Sequence, residues 1–125
     1  MPRLAIVVDD SMLIRHTVCR YFEQRGFLVE SATNGAEALE ILHYITPDII
    51  VTDLQMPRMT GSELITAVKG RPETANVPVI VLAGRSTAFD PIQEHRANAV
   101  IFKDIDIIQQ LDLAVSDAIP EVVLD

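Results

Sequence analysis

Four charged side chains follow apolar runs of the sequence, and their types suit chemistry on a phosphoryl group. Asp9 and Asp10 follow the run LAIVV, Asp53 follows IIVT, and Lys103 follows AVIF. Carboxylates that lie close together repel one another, and a hard divalent cation among them removes that repulsion. Mg²⁺ typically takes one or two carboxylates together with phosphate and water oxygens. If the fold gathers these side chains, we expect a Mg²⁺ site.

The same residue types suit phosphoryl transfer to a carboxylate. An aspartate can be the nucleophile that forms an aspartyl-phosphate. A lysine ammonium can hold a phosphoryl oxygen as a point charge and, with a metal ion, stabilise the transferring group. A single aspartate at the end of a strand is usually a helix cap or a solvated residue. The prediction of a phosphoryl-transfer site therefore depends on all four charged residues together. Asp48 opens the third predicted strand at its other end, and we assign it no role in the site.

Segments with strand and helix periodicity alternate along the whole chain. The predicted strands are residues 3–8, 27–31, 49–53, 77–83 and 99–102. The predicted helices run from Ser11 to about 25, from 36 to about 44, from 60 to about 69 and from 104 to about 119, with a short helix opening at Asp90-Pro91. Thr60 and Glu63 have the spacing of a capping box. No linker or repeat is visible, so we expect residues 1–125 to form one domain.

This alternation predicts an α/β fold in which helices cover both faces of a parallel sheet. Five βα units favour the flavodoxin-like, doubly wound (βα)5 sandwich with strand order 2-1-3-4-5. In such sheets the site lies at the carboxyl ends of the strands, beside the switch point between strands one and three. The four charged residues all follow strands at that edge, so the predicted topology brings them together.

Composition excludes several other classes of protein. The net charge of −8 provides no basic face for nucleic acid. No apolar run approaches the roughly 20 residues that cross a bilayer, so we expect no membrane contact and a cytoplasmic location. Cys19 is the single cysteine, which rules out an intramolecular disulfide. His16, His43 and His95 lack the spacing of metal ligands.

The segments that carry these charges resemble response-regulator receivers of two-component signalling, and in particular chemotaxis regulators. IVVDD resembles the acidic pair of that family, and DIIVTDLQMPRMTG resembles the segment around its phosphorylated aspartate. NVPVIVLAG and ANAVIFKD resemble its fourth and fifth strands. The resemblance covers nearly the whole chain. Chemotaxis regulators are themselves examples of the strand-end rule used above, so that rule is not independent support.

The resemblance implies a role for each residue of the site. Asp53 would be the phosphoacceptor, and Lys103 would contact the phosphoryl group. Asp10 would bind Mg²⁺ directly, Asp9 would bind it mainly through water, and the backbone carbonyl of Gln55 would complete the protein ligands. The phosphoryl group would come from a histidine kinase or a phosphotransfer protein. A downstream protein, or an output domain absent from this chain, would receive the signal.

The sequence departs from the family at the residues that usually transmit phosphorylation. Receivers usually carry Thr or Ser at the end of strand four, where this chain has Ala83. They often carry Tyr or Phe in strand five, where this chain has Val100, and Lys-Pro where it has Lys103-Asp104. We therefore predict that phosphorylation persists while the output change is weakened or takes another route.

Two other functions are weighed against this one. The first is a degenerate receiver that acts as a phosphorylation-independent interaction module, which the atypical Ala83 and Val100 favour and the intact acidic cluster disfavours. The second is an enzyme, a phosphohydrolase of the haloacid-dehalogenase type. Those enzymes carry a second acid two residues after the nucleophile, where this chain has Gln55, so we expect no enzyme. There is no G-x-G-x-x-G segment or P-loop to indicate nucleotide binding.

The last predicted helix carries more apolar residues than one buried face requires. Ile105, Ile107 and Leu113 lie beside the predicted core stripe of Ile108, Leu111, Val115 and Ile119. The extra residues are consistent with additional core contact or with a homodimer through the last two helices. Both interpretations stay open from the sequence.

Overall fold

Five parallel strands form one sheet in the order β2-β1-β3-β4-β5. The computed structural model describes residues 2–84 and 96–121. The strands are β1 (Leu4–Val8), β2 (Leu28–Ala32), β3 (Ile49–Asp53), β4 (Val79–Ala83) and β5 (Ala99–Phe102). The flavodoxin-like topology and the strand order predicted from the sequence are therefore confirmed.

Four described helices accompany the sheet. They are α1 (Met12–Glu23), α2 (Gly35–Leu42), α3 (Gly61–Lys69) and α4 (Ile107–Ala118). The helix predicted to open at Asp90-Pro91 lies outside the described residues, and α4 is the last helix that the structure describes. In the ranges that the structure describes, no helix is long and apolar enough to cross a membrane.

The sheet separates two apolar layers, because successive side chains of a strand point to opposite faces. In β1, Ala5 and Val7 face the layer formed with α1 and α4, whereas Ile6 and Val8 face the layer formed with α2 and α3. All four side chains are fully buried. Burial on both faces explains why β1, β3 and β4 are continuous apolar runs instead of alternating ones.

A local side-chain bond caps the start of each described helix, and the starts at Ser11 and Thr60 are those that the sequence predicted. The Ser11 hydroxyl accepts a bond from the Ile14 amide at the start of α1. At α3, the Thr60 hydroxyl accepts from the Glu63 amide at 3.1 Å, and the Glu63 carboxylate accepts from the Thr60 amide at 2.9 Å. The predicted capping box is therefore confirmed. Asn34 caps α2, so that helix starts one residue earlier than predicted.

The start and the buried face of α4 differ from the prediction. The helix begins at Ile107, not at Asp104, because the Asp106 carboxylate caps it by accepting from the Gln109 amide at 3.2 Å. The buried face also differs from the predicted one. Ile108 is 39% exposed and does not join the predicted core stripe, while Ile107 packs against the core instead.

A polar contact links α1 to α4 at the edge of the first apolar layer. The Tyr21 hydroxyl donates to Asp112 Oδ1 at 2.7 Å, and the Arg25 guanidinium lies 3.3 Å from the same oxygen. The Arg25 guanidinium also stacks on the Tyr21 ring, 3.7 Å from its centroid. Burial, and then the bond to Asp112, raise the pKa of Tyr21 well above its usual value, so the hydroxyl stays protonated and donates.

We expect Tyr21→Phe to lower the free energy of unfolding by roughly 1 to 2 kcal/mol, because it removes a hydrogen bond to a charged acceptor. Urea unfolding followed by circular dichroism measures this change. Tyr44→Phe is the matched control, since Tyr44 is 88% exposed and should tolerate the loss of its hydroxyl. Equal effects of the two substitutions would contradict a stabilising role for the Tyr21 contact.

Candidate functional site

The predicted site residues lie together at the carboxyl edge of the sheet. Asp9 and Asp10 follow β1, Asp53 is the last residue of β3, and Lys103 follows β5. Carboxylate oxygens of the three aspartates lie within 4.8 Å of one another. Asp48 lies at the other end of β3, where its carboxylate accepts a bond from the Leu4 amide at 2.8 Å. The convergence expected from strand order is therefore observed.

Lys103 bridges two of the carboxylates. Its ammonium nitrogen lies 2.9 Å from Asp9 Oδ2 and 3.1 Å from Asp53 Oδ1, and the side chain is only 19% exposed. Its backbone amide donates to the Ala83 carbonyl at 2.9 Å, which ties it to the end of β4. The sequence predicted that Lys103 would reach this site, but the ion pair with Asp9 was missed, because nothing local indicates it.

Asp9 is held from several directions although its side chain is fully buried. Its Oδ1 accepts a bond from the Ser11 amide at 2.8 Å, and its backbone carbonyl accepts from the Arg15 guanidinium at 2.8 Å. Its Oδ2 pairs with the Lys103 charge, but no well-aligned hydrogen bond reaches that oxygen from the described residues. A buried carboxylate oxygen in this state has unused capacity for a cation.

The electrostatics of Asp53 follow from its surroundings. Burial, and after it the Asp9 carboxylate, raise the pKa of Asp53 to about 6, against the opposing effects of the Lys103 ammonium and the Gln55 backbone amide. For Lys103, burial acts to lower the pKa, but the carboxylates of Asp9 and Asp53 outweigh it and the pKa is raised. At neutral pH the site therefore holds an ionised Asp53 beside a charged lysine.

The donor set fits a hard divalent cation. Asp10 is exposed and can present its carboxylate to an ion from the solvent side, whereas Asp9 and Asp53 line the buried side. Oxygen donors of this type are those preferred by Mg²⁺. An ion there would neutralise the repulsion between the carboxylates.

The absence of a side chain at Gly61 allows the start of α3 to lie close to the backbone at the end of β3. The Gly61 amide donates to the Leu54 carbonyl at 2.9 Å. A Cβ atom at Gly61 would collide with the Asp53 carbonyl oxygen and lie 2.9 Å from the Leu54 Cα. Within the loop after β3, Met56 is buried and Met59 packs against the second apolar layer. The loop also contains Arg58 with a φ of 72°, a conformation unusual for a side-chain-bearing residue.

We expect Gly61→Ala to lower the free energy of unfolding by roughly 2 to 3 kcal/mol, because the new methyl group must displace the backbone at Asp53 and Leu54. Thermal unfolding measures the loss. Gly84→Ala serves as the control, since a Cβ there meets no described atom within 4 Å. If Gly61→Ala were as stable as Gly84→Ala, the close approach would not constrain this loop.

The two atypical positions lie on neighbouring strands beside the charges. Ala83 is fully buried at the end of β4, in register with Phe102. Val100 is half-buried, pairs with Val81 and packs against the second apolar layer. Neither side chain carries a polar atom, so neither can bond to a group placed on Asp53.

Comparison with known proteins identifies the family. Residues 5–115 match the family described as response regulator receiver domain. The chain is 32% identical over 92 residues to the response regulator MprA of Mycobacterium sp. (strain KMS), covering 74% of this chain and 39% of that protein. It is 36% identical over 85 residues to the gliding motility regulatory protein of Myxococcus xanthus, covering 68% of this chain and 11% of that protein. The chain thus spans less than two fifths of either relative.

A solved structure agrees with this result. The chemotaxis response regulator CheY4 of Vibrio cholerae superposes with a TM-score of 0.82 at 27% identity, covering 95% of this chain and 100% of that one. Receiver domains of this kind are signalling modules that bind Mg²⁺ at an acidic pocket, and the Asp9, Asp10 and Asp53 cluster is able to hold such an ion. Fold, site and sequence agree that the chain belongs to the response regulator receiver domain family.

Proposed function

We propose that this receiver domain takes a phosphoryl group on Asp53 from a histidine kinase or a phosphotransfer protein and signals through protein contacts. The observation that carries the proposal is the meeting of Asp9, Asp10, Asp53 and Lys103 at one edge of the sheet. Each residue of this set would contribute to transfer, and the short distances from Lys103 to Asp9 and Asp53 support their joint action on one phosphoryl group.

The chain's own residues would perform the transfer as follows. An ionised Asp53 oxygen attacks phosphorus, a P–O bond forms, and the bond from phosphorus to the donor's leaving atom breaks with its electron pair leaving on the donor. With a pKa of about 6, Asp53 is mostly ionised at neutral pH and available for attack. Lys103 already lies 3.1 Å from Asp53 and would hold a phosphoryl oxygen as a point charge.

Mg²⁺ would be held by the carboxylates of Asp9, Asp10 and Asp53 and by the backbone carbonyl of Gln55. When bound, it neutralises charge on the carboxylates and on the phosphoryl oxygens. The exposure of Asp10 supports direct binding of Mg²⁺ by its carboxylate. The pairing of Asp9 with Lys103 supports binding by Asp9 mainly through water.

Signalling requires a protein surface that responds to phosphorylation of the site. We propose a separate downstream protein or a further output domain, and a cytoplasmic location where kinases of this system act. The proposed homodimer through the last two helices would use the outer side of α4, where Leu113 is 68% exposed, together with Ile105, which precedes the helix and is 61% exposed. Sedimentation velocity, with and without phosphorylation, tests that part of the proposal.

The decisive experiment measures intact mass after incubation with Mg²⁺ and acetyl phosphate. We expect the mass of one phosphoryl group on the wild type, no gain for Asp53→Asn, and an unchanged gain for Asp48→Asn, whose carboxylate lies at the opposite edge. A gain that persists in Asp53→Asn would assign the phosphate elsewhere. If neither mass nor amide chemical shifts respond to acetyl phosphate or beryllofluoride, the phosphorylation-independent interaction module becomes the better account.

Ala83 offers a test of how the signal leaves the site. Ala83→Thr restores a hydroxyl at the end of β4, and a bond from it to a charged phosphoryl analogue should raise beryllofluoride affinity by roughly tenfold. We also expect the analogue to shift more amide resonances in β5 and α4 than in the wild type. Ala83→Val, which adds similar bulk without a hydroxyl, is the control. Unchanged affinity and unchanged partner binding in Ala83→Thr would contradict the idea that the missing hydroxyl weakens output.

A further inference from the structure

The outer edge of β5 bears directly on Lys103. Phe102 pairs with Ala83 of β4, and the Lys103 amide donates to the Ala83 carbonyl at 2.9 Å. In a parallel ladder the backbone groups of alternate residues point to opposite sides. The amide and carbonyl of Phe102 therefore face away from β4, on the side where the described sheet has no further strand.

One side chain of α4 occupies that edge. Gln110 Oε1 accepts from the Phe102 amide at 3.0 Å, and Gln110 Nε2 donates to the Phe102 carbonyl at 2.9 Å. The same nitrogen lies 3.2 Å from the Asp106 carbonyl at the start of α4. A primary amide can accept and donate at once, as a neighbouring strand would, whereas a carboxylate only accepts and an ammonium only donates. We call this pair of bonds to Phe102 the Gln110 clasp.

The clasp fixes the residue immediately before Lys103. Phe102 also anchors the turn that follows Lys103, because the Ile105 amide donates to the Phe102 carbonyl at 3.4 Å before Asp106 begins the cap of α4. The position after the lysine is Asp104, which leaves φ free where a proline would restrict it. The lysine must nevertheless keep its ammonium within 2.9 and 3.1 Å of two carboxylates.

We propose that Gln110 is a positioning residue for phosphoryl transfer: by binding both backbone groups of Phe102, it holds the Lys103 ammonium beside Asp9 and Asp53. The inference rests on the proposed function for its role in transfer. The geometric part, that the clasp keeps Lys103 in place, applies to the unphosphorylated protein as well.

The test compares Gln110→Met with two controls. Methionine keeps the length of the side chain and removes both bonds to Phe102. Gln109→Met makes the same substitution at the adjacent residue, whose exposed side chain has no hydrogen bond from the described residues. Tyr21→Phe removes a different bond to α4 and shows what simple destabilisation of that helix does.

Two measurements are made on each variant. The first is the ¹⁵N and ¹H resonance of the Lys103 ammonium in metal-free protein, where we expect a resolved, protected signal in the wild type and in both controls and its loss in Gln110→Met. The second is beryllofluoride affinity at a Mg²⁺ concentration that saturates each variant. We expect Gln110→Met to lower that affinity by about tenfold, because a displaced charged group loses its stabilising geometry.

The outcomes separate the two proposals. If Gln110→Met keeps the Lys103 signal and the affinity of the wild type, the positioning role is wrong. If Tyr21→Phe produces the same losses, the effect is only structural and the positioning role is also wrong. If the wild type does not bind beryllofluoride and gains no phosphoryl mass, the proposed function fails, while the ammonium resonance still decides whether Gln110 positions Lys103.

Discussion

Lys103→Met is expected to lower the free energy of unfolding of the metal-free protein by about 3 to 5 kcal/mol, since it leaves buried carboxylates without their cation. The Asp9 side chain is fully buried and Asp53 is 7% exposed, so bulk water solvates both carboxylates poorly once the ammonium is removed. Removal of the lysine would also deprive an incoming phosphoryl group of its positive partner. We therefore expect phosphorylation by acetyl phosphate to slow in the same variant.

Urea unfolding at neutral pH in the presence of EDTA measures this loss. Lys69→Met is the matched control, because the Lys69 ammonium donates to the neutral carbonyls of Ala75 and Val77, each at 3.1 Å. We expect the control to lose only about 1 kcal/mol. Added Mg²⁺ should restore part of the stability of Lys103→Met, because an ion that binds only the folded state shifts the equilibrium toward it. Equal losses in the two variants would contradict a special role for the buried pair.

The second large effect is a pH dependence that originates at Asp53. Its pKa rises from 3.8 to about 6 on folding, so between those values the folded protein binds more protons than the unfolded chain. The free energy of unfolding must then fall as pH rises through this window. The stability provided by the protonated carboxyl is fully present below pH 3.8 and lost above about pH 6. We expect the contribution to be roughly 1 to 2 kcal/mol after a discount for solvent screening.

Asp53→Asn isolates this contribution, because asparagine does not titrate. The difference in unfolding free energy between wild type and Asp53→Asn, measured in EDTA, should shift in favour of the variant as pH increases from about 4 to 7. Saturating Mg²⁺ should reduce the difference, since the cation favours the ionised carboxylate. A difference that stayed constant with pH, or changed in the opposite sense, would show that burial and Asp9 do not raise the pKa of Asp53.

Most of the architecture could be predicted from the chain because its causes are local. Runs of branched apolar residues predicted β1, β3 and β4, and their alternation with helices predicted a parallel sheet. Strand order then placed Asp53 and Lys103 at one edge, since the carboxyl ends of parallel strands point the same way. The capping box of Thr60 and Glu63 was predictable for the same reason, because both partners lie within one helical turn.

The details of the site depended on contacts between residues that are distant in the sequence. The pair between Lys103 and Asp9 joins residues from opposite parts of the chain, and no periodicity indicates its 2.9 Å distance. The raised pKa of Asp53 depends on burial by several elements at once. The clasp of Gln110 on Phe102 joins α4 to the edge of β5, and no periodicity of the sequence indicates it.

Residue type and spacing were thus sufficient to predict the sheet, the edge of the sheet at which the charged residues lie, and the family. Tertiary structure decided which charges pair, how each carboxylate titrates, why Gly61 must lack a side chain and what holds Lys103 in place. The physical reason is range: propensity and capping act within a few residues, whereas burial, ion pairing and close packing are properties of atoms that only the complete fold brings within a few ångströms of one another.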